Sequence, residues 1–426
     1  MGGGDDDDRI SKLPDDILVD VISRLSLKEA GRTSVLSPRW KNVWKHTPFL
    51  NFDADDVLQK IMEHHSSKDL IKIEAPKYVE WVNSVVRAHK SPTLKEFKIR
   101  FHLDNKYESS ITQWLEFAFS KQVERLELNH ENFINPNEYY CLPDFSSFAS
   151  CKSLKALSLV SVHVTDGAVE FFLRNCPLLE ELTVCCSHKF LDLEVCGPSL
   201  VLKHLDLQHT YDFRTLKICA PFLTSLKVQI TKGLLIENVP MLVDLSLTSY
   251  SVKGLISAIS CCFSQLEVLC FSLTSINKEV MSEHGNFPEM PKLKKLFIEY
   301  KTCGYESLVR LMASLIRKSP SLEEFALQYN YFPPKVRKDR GVEEAMWFPN
   351  NHVKVFKLSS DYSRVSDVMV YIVGGILGNC AGLEKIIVDT SDGYFPVNDR
   401  HKIERRNKAK QQLEPQIPHH IEFVVL

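Results

Sequence analysis

The chain of 426 residues is 44% hydrophobic and 25% charged, which is the composition of a globular protein with ample core material and excludes a disordered or fibrous one. Its 52 basic and 54 acidic side chains leave a formal charge of −2, and that excludes a general electrostatic attraction to nucleic acid or anionic lipid. The longest nearly uncharged apolar run, 368–378, is eleven residues, against about 20 for a spanning helix, so a soluble protein is expected.

The first eight residues hold three glycines and four aspartates. They offer neither the basic nor the apolar stretch of a secretory signal and are expected to form a disordered acidic tail. From Arg9 to Trp44 the pattern is three short helices. Pro14 suits a first helical turn, Asp15 and Asp16 complement the helix dipole, and Ile17, Leu18, Val21, Ile22 and Leu25 form an apolar stripe. Ser26 with Glu29 makes a capping box for the second helix, and Ser37-Pro38 opens a third that carries Trp40, Val43 and Trp44. Three helices of this size bury little area alone. Patterning leaves two uses for the stripe open: a cap on the repeats downstream, or a surface for a partner. Residues 51–93 are expected to form a helical linker or cap.

From Leu94 the chain repeats one template, apolar-x-x-apolar-x-apolar. It begins at Leu94, Val123, Leu154, Leu179, Leu202, Leu223, Leu242, Leu266, Leu293, Leu322, Val353 and Leu383. The spacings run from 19 to 31 residues, close to the roughly 20–29 of a leucine-rich repeat. The last two apolar letters share one face of a short strand, and stacking such strands in parallel buries that face. Where spacings are long the return leg reads as helix: Thr165 caps one running toward Arg174, and 306–318 place Leu308, Leu311, Met312, Leu315 and Ile316 at helical spacing. Where spacings fall to 23, 21 and 19, extended pieces from Leu191, Leu216 and Leu234 fill the gap, ending in turns at Pro198, Pro221 or Pro240. The expected fold is α/β, a three-helix N-terminal module followed by a parallel-stranded solenoid backed by helices at both ends and by extended segments in the middle.

Little in the chain points to catalysis or to a cofactor. It has no Gly-x-Ser-x-Gly elbow, phosphate loop, His-Glu-x-x-His or dinucleotide Gly-x-Gly-x-x-Gly. Gly374, Gly375 and Gly378 lie in an apolar helical run, where close packing is expected. The pairs His64-His65 and His419-His420 read as surface histidines, since adjacent residues diverge on a strand or a helix. Twelve cysteines include no Cys-x-x-Cys, so buried reduced thiols are expected, and Cys176, Cys186 and Cys196 read as buried turn positions rather than metal ligands. Between Arg400 and Lys410 lie six basic residues with Glu404 the only acid, which suits either a nuclear import signal or the solvated face of a helix.

The segment with Leu13-Pro14-Asp15, Lys28-Glu29-Ala30, Thr33-Ser34, Leu36-Ser37 and Arg39-Trp40 resembles the plant form of the F-box. It departs from the family at Ser26, where Pro is common, and at Pro38, and both suit helix starts. Followed by leucine-rich repeats, the chain resembles the plant F-box/LRR family. The stretch from Met346 to Leu426 is similar to the FBD region of some members, which places the repeats proper at 94–345 and the F-box at 9–50. The resemblance implies the substrate receptor of a Skp–cullin–F-box ubiquitin ligase. Its F-box would dock on a Skp-family adaptor, and through it on a cullin. By position in the motif the implied adaptor contacts are Leu13, Pro14, Ile17, Leu18, Ile22, Leu25 and Trp40, with internal F-box core as the other use of such residues, Trp40 especially.

Protein substrate would meet the strand positions that alternate with the buried leucines: His204, Asp206, Ser225, Lys227, Asp244, Ser246, Lys295 and Phe297. That row mixes signs and announces neither an acidic nor a basic client. An interaction scaffold or ligand sensor that directs no degradation fits the same repeats. No enzyme activity, cofactor, metal, nucleic acid or membrane partner is expected, and the expected location is intracellular, in nucleus or cytoplasm.

Overall fold

The computed structural model describes residues 10, 12–63, 67–130, 139–142, 151–187, 192–197, 199–210, 213–230, 233–249, 255–273, 287–300, 305–329, 346–359, 367–390 and 399–426. The acidic tail, His64-His65 and Pro198 lie outside them. Two compact units result, one of Met1–Phe190 with Ser199–Leu202 and the other of Leu191–Pro198 with Lys203–Leu426.

The first unit opens with α1 (Asp15–Ile22), α2 (Leu27–Arg32) and α3 (Trp40–Val43), followed by β1 (Phe49–Asp53), α4 (Asp55–Glu63) and α5 (Ser67–Ala88). Next come β2 (Glu96–Arg100), α6 (Glu108–Ser120), β3 (Arg125–Asn129), β4 (Tyr140–Cys141), β5 (Ala156–Val160), β6 (Val162–His163), α7 (Asp166–Asn175) and β7 (Glu181–Cys185). Strands β1, β2, β3, β5 and β7 pair in that order, all parallel. The alternation works as the template requires: in β3 Leu126 and Leu128 are buried while Arg125 and Glu127 face outward. Thr165 caps α7 by accepting a hydrogen bond from the Ala168 amide at 3.3 Å.

Residues 51–93 are not helix alone. They begin within a strand, β1, that pairs with β2 residue for residue from Phe49↔Glu96 to Asp53↔Arg100. Helix α5 is pinned to it: Tyr78 Oη donates to the Phe52 carbonyl at 2.5 Å and stacks on Phe101 at 4.5 Å, and Trp81 meets Phe52 edge-on at 5.2 Å.

The second unit contains β8 (Asp192–Cys196), β9 (His204–Leu207), β10 (Thr215–Cys219), β11 (Ser225–Ile230), β12 (Leu234–Ile236), β13 (Asp244–Ser249), α8 (Leu255–Ile259), β14 (Val268–Leu273) and β15 (Lys295–Tyr300). It continues with α9 (Tyr305–Arg317), β16 (Glu324–Tyr329), β17 (Val355–Ser359), α10 (Asp367–Asn379), β18 (Lys385–Asp389), α11 (Asp399–Leu413) and β19 (Glu422–Val425). Strands β9, β11, β13, β14, β15, β16, β17, β18 and β19 form a parallel ladder. The extended return legs form their own parallel sheet, β8-β10-β12. All twelve template copies are thus strands, and the described return legs include helices, as α6, α7, α9, α10 and α11, and strands, as β8, β10 and β12. No described helix is long and apolar enough to cross a membrane.

The prolines before the strands do more than stop helices. In Cys176-Pro177-Leu178-Leu179 the last amide donates to the first carbonyl at 3.1 Å, and the same bond closes 220–223, 239–242, 290–293, 319–322 and 380–383. Each is a β-turn with its second position, which favours Pro, filled by Pro in five cases and by Ala381 in the last. The turn sets the first buried leucine of every such repeat, and Leu179, Leu223, Leu242, Leu293, Leu322 and Leu383 are all buried.

One buried side chain makes the first unit sensitive to acid. His130 is fully buried; its Nδ1 lies 3.3 Å from the Phe101 carbonyl oxygen and its Nε2 has no hydrogen-bond partner. Burial, with a smaller contribution from His102, pushes its pKa down from 6.5 to about 4. The folded state therefore prefers the neutral ring. Its contribution is complete above the unfolded value near 6.5 and is lost as pH falls toward 4, where the unfolded chain binds the extra proton; the expected loss is about 3 kcal/mol. Denaturant unfolding between pH 7 and 4 checks this: the slope should flatten in His130→Leu, and an equal slope in both proteins would refute the assignment.

Candidate functional site

The N-terminal module folds on a small core of its own. Leu18, Ile22, Ala30, Trp40 and Val43 are buried against one another, with Leu13, Val19 and Trp44 packed on them. Arg39 closes the module by donating to the Asp15 carboxylate from Nε at 2.9 Å and from Nη2 at 2.6 Å, tying the start of α3 to the start of α1. The Ser26–Glu29 capping box is formed. Hydrogen bonds from the Ser26 hydroxyl and amide hold the Glu29 carboxyl below the usual carboxylate range.

Leu18, Ile22 and Trp40 are buried in this core, the internal use of such residues that the motif also allowed, for Trp40 especially. Leu13 is half-buried on the same core. Pro14, Ile17 and Leu25 are exposed, and Val21 joins them, Ile17 at 43%, Val21 at 46% and Leu25 at 43%. Ile17 and Val21 are spaced i, i+4 on α1, so they form a second apolar row beside the buried one, and Leu25 is exposed three residues beyond the end of the helix. Val35 and Leu36, in the turn between α2 and α3, are exposed at 87% and 64%. Isolated exposed apolar residues are ordinary, but Pro14, Ile17, Val21, Leu25, Val35 and Leu36 are a large share of so small a module.

The module is fastened to the rest of its unit. Lys28 of α2 places its ammonium 5.2 Å from the Trp81 ring of α5, the Ser23 and Thr47 hydroxyls are 3.0 Å apart, and His89 Nε2 lies 2.9 Å from the Thr47 carbonyl oxygen.

On the open face of the second unit the substrate candidates fall into two registered rows. Ser225 lies beside His204 and Asp244, and Lys227 beside Asp206 and Ser246. Farther along, Lys295 lies between Val268 and Glu324, and Phe297 between Cys270 and Ala326. Ser246 is only 8% exposed, so it offers a partner little. Lys295 is exposed and Phe297 half-exposed. Glu324 is reached by Lys357 at 2.5 Å and Lys295 at 3.6 Å. Desolvation opposes ionisation of Glu324, but the Lys357 hydrogen bond and the two lysine charges outweigh it and hold the carboxyl below its usual range. Much of the face is thus internally paired.

Other expectations meet mixed outcomes. Cys176 is buried at the end of α7 and Cys186 is half-buried, but Cys196 is exposed: β8 turns Leu193 and Val195 inward, so its alternate residue faces out. Of the three glycines in α10 only Gly375 is closely packed, a Cβ there falling 2.6 Å from Met346 Cε. His419 and His420 are exposed. Among the described residues no group of three or more His, Cys, Asp or Glu is placed to hold a metal. Most of the described part of α11 is solvent-exposed, with Ala409 and Leu413 buried.

Comparison with known proteins gives two family matches: the F-box domain over residues 10–52, and the LRR domain of the At1g61320/AtMIF1 type over residues 139–418. The F-box/LRR-repeat protein At3g26922 of Arabidopsis thaliana is 31% identical over 277 residues, covering 59% of this chain and 85% of that protein. The chain belongs to the F-box/LRR-repeat family. Two further Arabidopsis thaliana members extend the likeness: the putative F-box/LRR-repeat protein At5g02930, 24% identical over 90% of this chain and 87% of its own, and the FBD-associated F-box protein At4g10400, 26% identical over 75% and 77%. In F-box terms, α1 to α3 are the F-box helices, and β1 continues without a break into the repeat ladder.

Proposed function

We propose that this F-box/LRR-repeat protein is the substrate-recognition subunit of a Skp–cullin–F-box ubiquitin ligase, acting without catalytic chemistry of its own in nucleus or cytoplasm. The observation that carries the reading is the second apolar row. The F-box core closes without Pro14, Ile17, Val21, Leu25, Val35 and Leu36, so their exposure serves no internal packing and suits burial against a helical adaptor of the Skp type. The open strand face of the repeats is left for the protein to be ubiquitinated, met by His204, Asp206, Ser225, Lys227, Asp244, Lys295 and Phe297. The chain from Met346 to Leu426 would be the FBD-like terminal part of the array.

Co-purification with a plant Skp adaptor tests this. Ile17→Asp with Val21→Asp places two carboxylates in the row and is expected to weaken adaptor binding by at least about 100-fold, with circular dichroism and melting temperature unchanged. Undiminished binding by the double variant would sink the contact surface. Failure of the folded wild type to bind any Skp adaptor would sink the ligase reading and leave a repeat scaffold.

A further inference from the structure

The first unit carries a basic cleft that neither the F-box row nor the repeat face uses. It has a volume of about 370 Å³ and is lined by Lys68, Ile71 and Lys72 of α5 and by His102, Asp104, Asn105 and Lys106, which follow β2. Lys68 and Lys72 are one helical turn apart and present their ammonium groups to the same side. Lys106 approaches from the 3-10 turn of residues 105–107, whose start Asp104 caps by accepting the Lys106 amide at 3.1 Å. His102, which also lines the cleft, is 8% exposed, so part of the lining is withdrawn from water.

Three ammonium groups face one carboxylate in this lining. Asp104 is engaged by the turn and by Lys106 Nζ at 3.0 Å; Lys72 reaches Asp69, outside the cleft, at 3.4 Å through a pair in which both side chains are at least 70% exposed. Exposed pairs of this kind are weak and exchange readily for a stronger anion. Lys68 has no acidic partner among the described residues. The cleft therefore holds a positive excess in a chain whose overall charge is −2.

We infer that this cleft binds a small phosphate-bearing molecule, its phosphoryl oxygens accepting hydrogen bonds from Lys68, Lys72 and Lys106. A dianionic group satisfies several ammonium donors at once, which a monovalent carboxylate does less well. A small molecule is favoured over a phosphorylated peptide because β2, the adjoining strand, is paired on both sides by β1 and β3 and has no free edge for a peptide backbone.

Calorimetric titration of the full chain with inorganic pyrophosphate at low ionic strength is the test. Saturable one-to-one binding is expected, weakening with added salt and falling at least about 10-fold in Lys68→Gln/Lys72→Gln/Lys106→Gln, whose exposed side chains can be replaced without altering the melting temperature. The α11 variant Lys402→Gln/Arg406→Gln/Lys410→Gln removes equal charge elsewhere and should bind as wild type does. No saturable binding, or equal loss in both variants, would overturn the site. Binding of a phosphoserine peptide without binding of pyrophosphate would overturn its assignment to a small molecule.

Discussion

Trp40→Ala is expected to unfold the F-box while leaving the repeats folded. The indole is 6% exposed and packs with Leu18, Ile22, Ala30 and Val43. Truncating a buried Trp to Ala typically costs about 3–5 kcal/mol. A core of five buried side chains has no reserve of that size, because so small a module removes little surface from water. Limited proteolysis should open the chain between residues 10 and 48, adaptor binding should vanish, and the main circular-dichroism transition should persist. The contrast with Ile17→Asp/Val21→Asp separates the exposed row of α1 from the core that Leu18 and Ile22 share with Trp40 of α3: the surface variant loses the partner and keeps the fold, whereas the core variant loses both. If Trp40→Ala left proteolysis and binding unchanged, the indole would not belong to the core at all.

Gly382→Val is the second large effect. Gly382 occupies the third position of the turn that leads into β18, and a Cβ built there lies 2.2 Å from the Asn351 carbonyl oxygen. That oxygen is backbone of the preceding repeat and cannot rotate away as a flexible side chain would. Relieving the clash must separate the turn from residues 351–353, next to where Glu384 and Lys385 donate to the Lys354 carbonyl at 2.8 and 3.0 Å. The expected cost is about 3 kcal/mol, with hydrogen exchange accelerating in β17 to β19 ahead of the rest of the second unit. Gly378→Val serves as the control in the neighbouring helix, since no atom lies within 4 Å of its Cβ position. Uniform exchange in Gly382→Val would show that the close approach is absent.

The repeat array was legible because its signal is periodic, and twelve weak matches in order leave little room for another fold. Two strands of the parallel ladders, β1 and β19, escaped the template for one reason. By register Phe49 pairs with Glu96 and Glu422 with Lys385, which puts Thr47 and His420 where the other repeats carry their leading Leu or Val. Thr47 is buried all the same, tied to the Ser23 hydroxyl by a polar contact that no hydrophobic pattern registers. On α1 the difficulty is different. Ile17 and Leu18 are both apolar, as are Val21 and Ile22, so the helix has two adjacent apolar stripes and sequence alone does not say which faces inward. Only the placement of Trp40 and Val43 decides it. Val35 and Leu36 follow α2 outside any helical stripe, so no hydrophobic periodicity marks them, and only their exposure of 87% and 64% does. The basic cleft was not legible, because Lys68 and Lys106 are 38 positions apart and meet only through the packing of α5 beside β2.

The contact between Lys28 and Trp81 bears on how far a ligase of the proposed kind can reach. A flexible tether between adaptor module and client surface would make the meeting of a client lysine with activated ubiquitin a matter of effective concentration, tolerant of clients of many sizes. Here the F-box rests directly on α5 and β1 through Lys28, Ser23 and the His89–Thr47 contact. The parallel strands β1, β2, β3, β5 and β7 of the first unit would then act as a bracket of set length for any part of a client that reaches them, and that part would present one angular sector of its surface to the transfer machinery. For such a ligase, which lysines are modified would be a property of geometry rather than of sequence around each lysine. Loosening the bracket, as Trp81→Ala would, should broaden the set of modified sites more than it lowers the total.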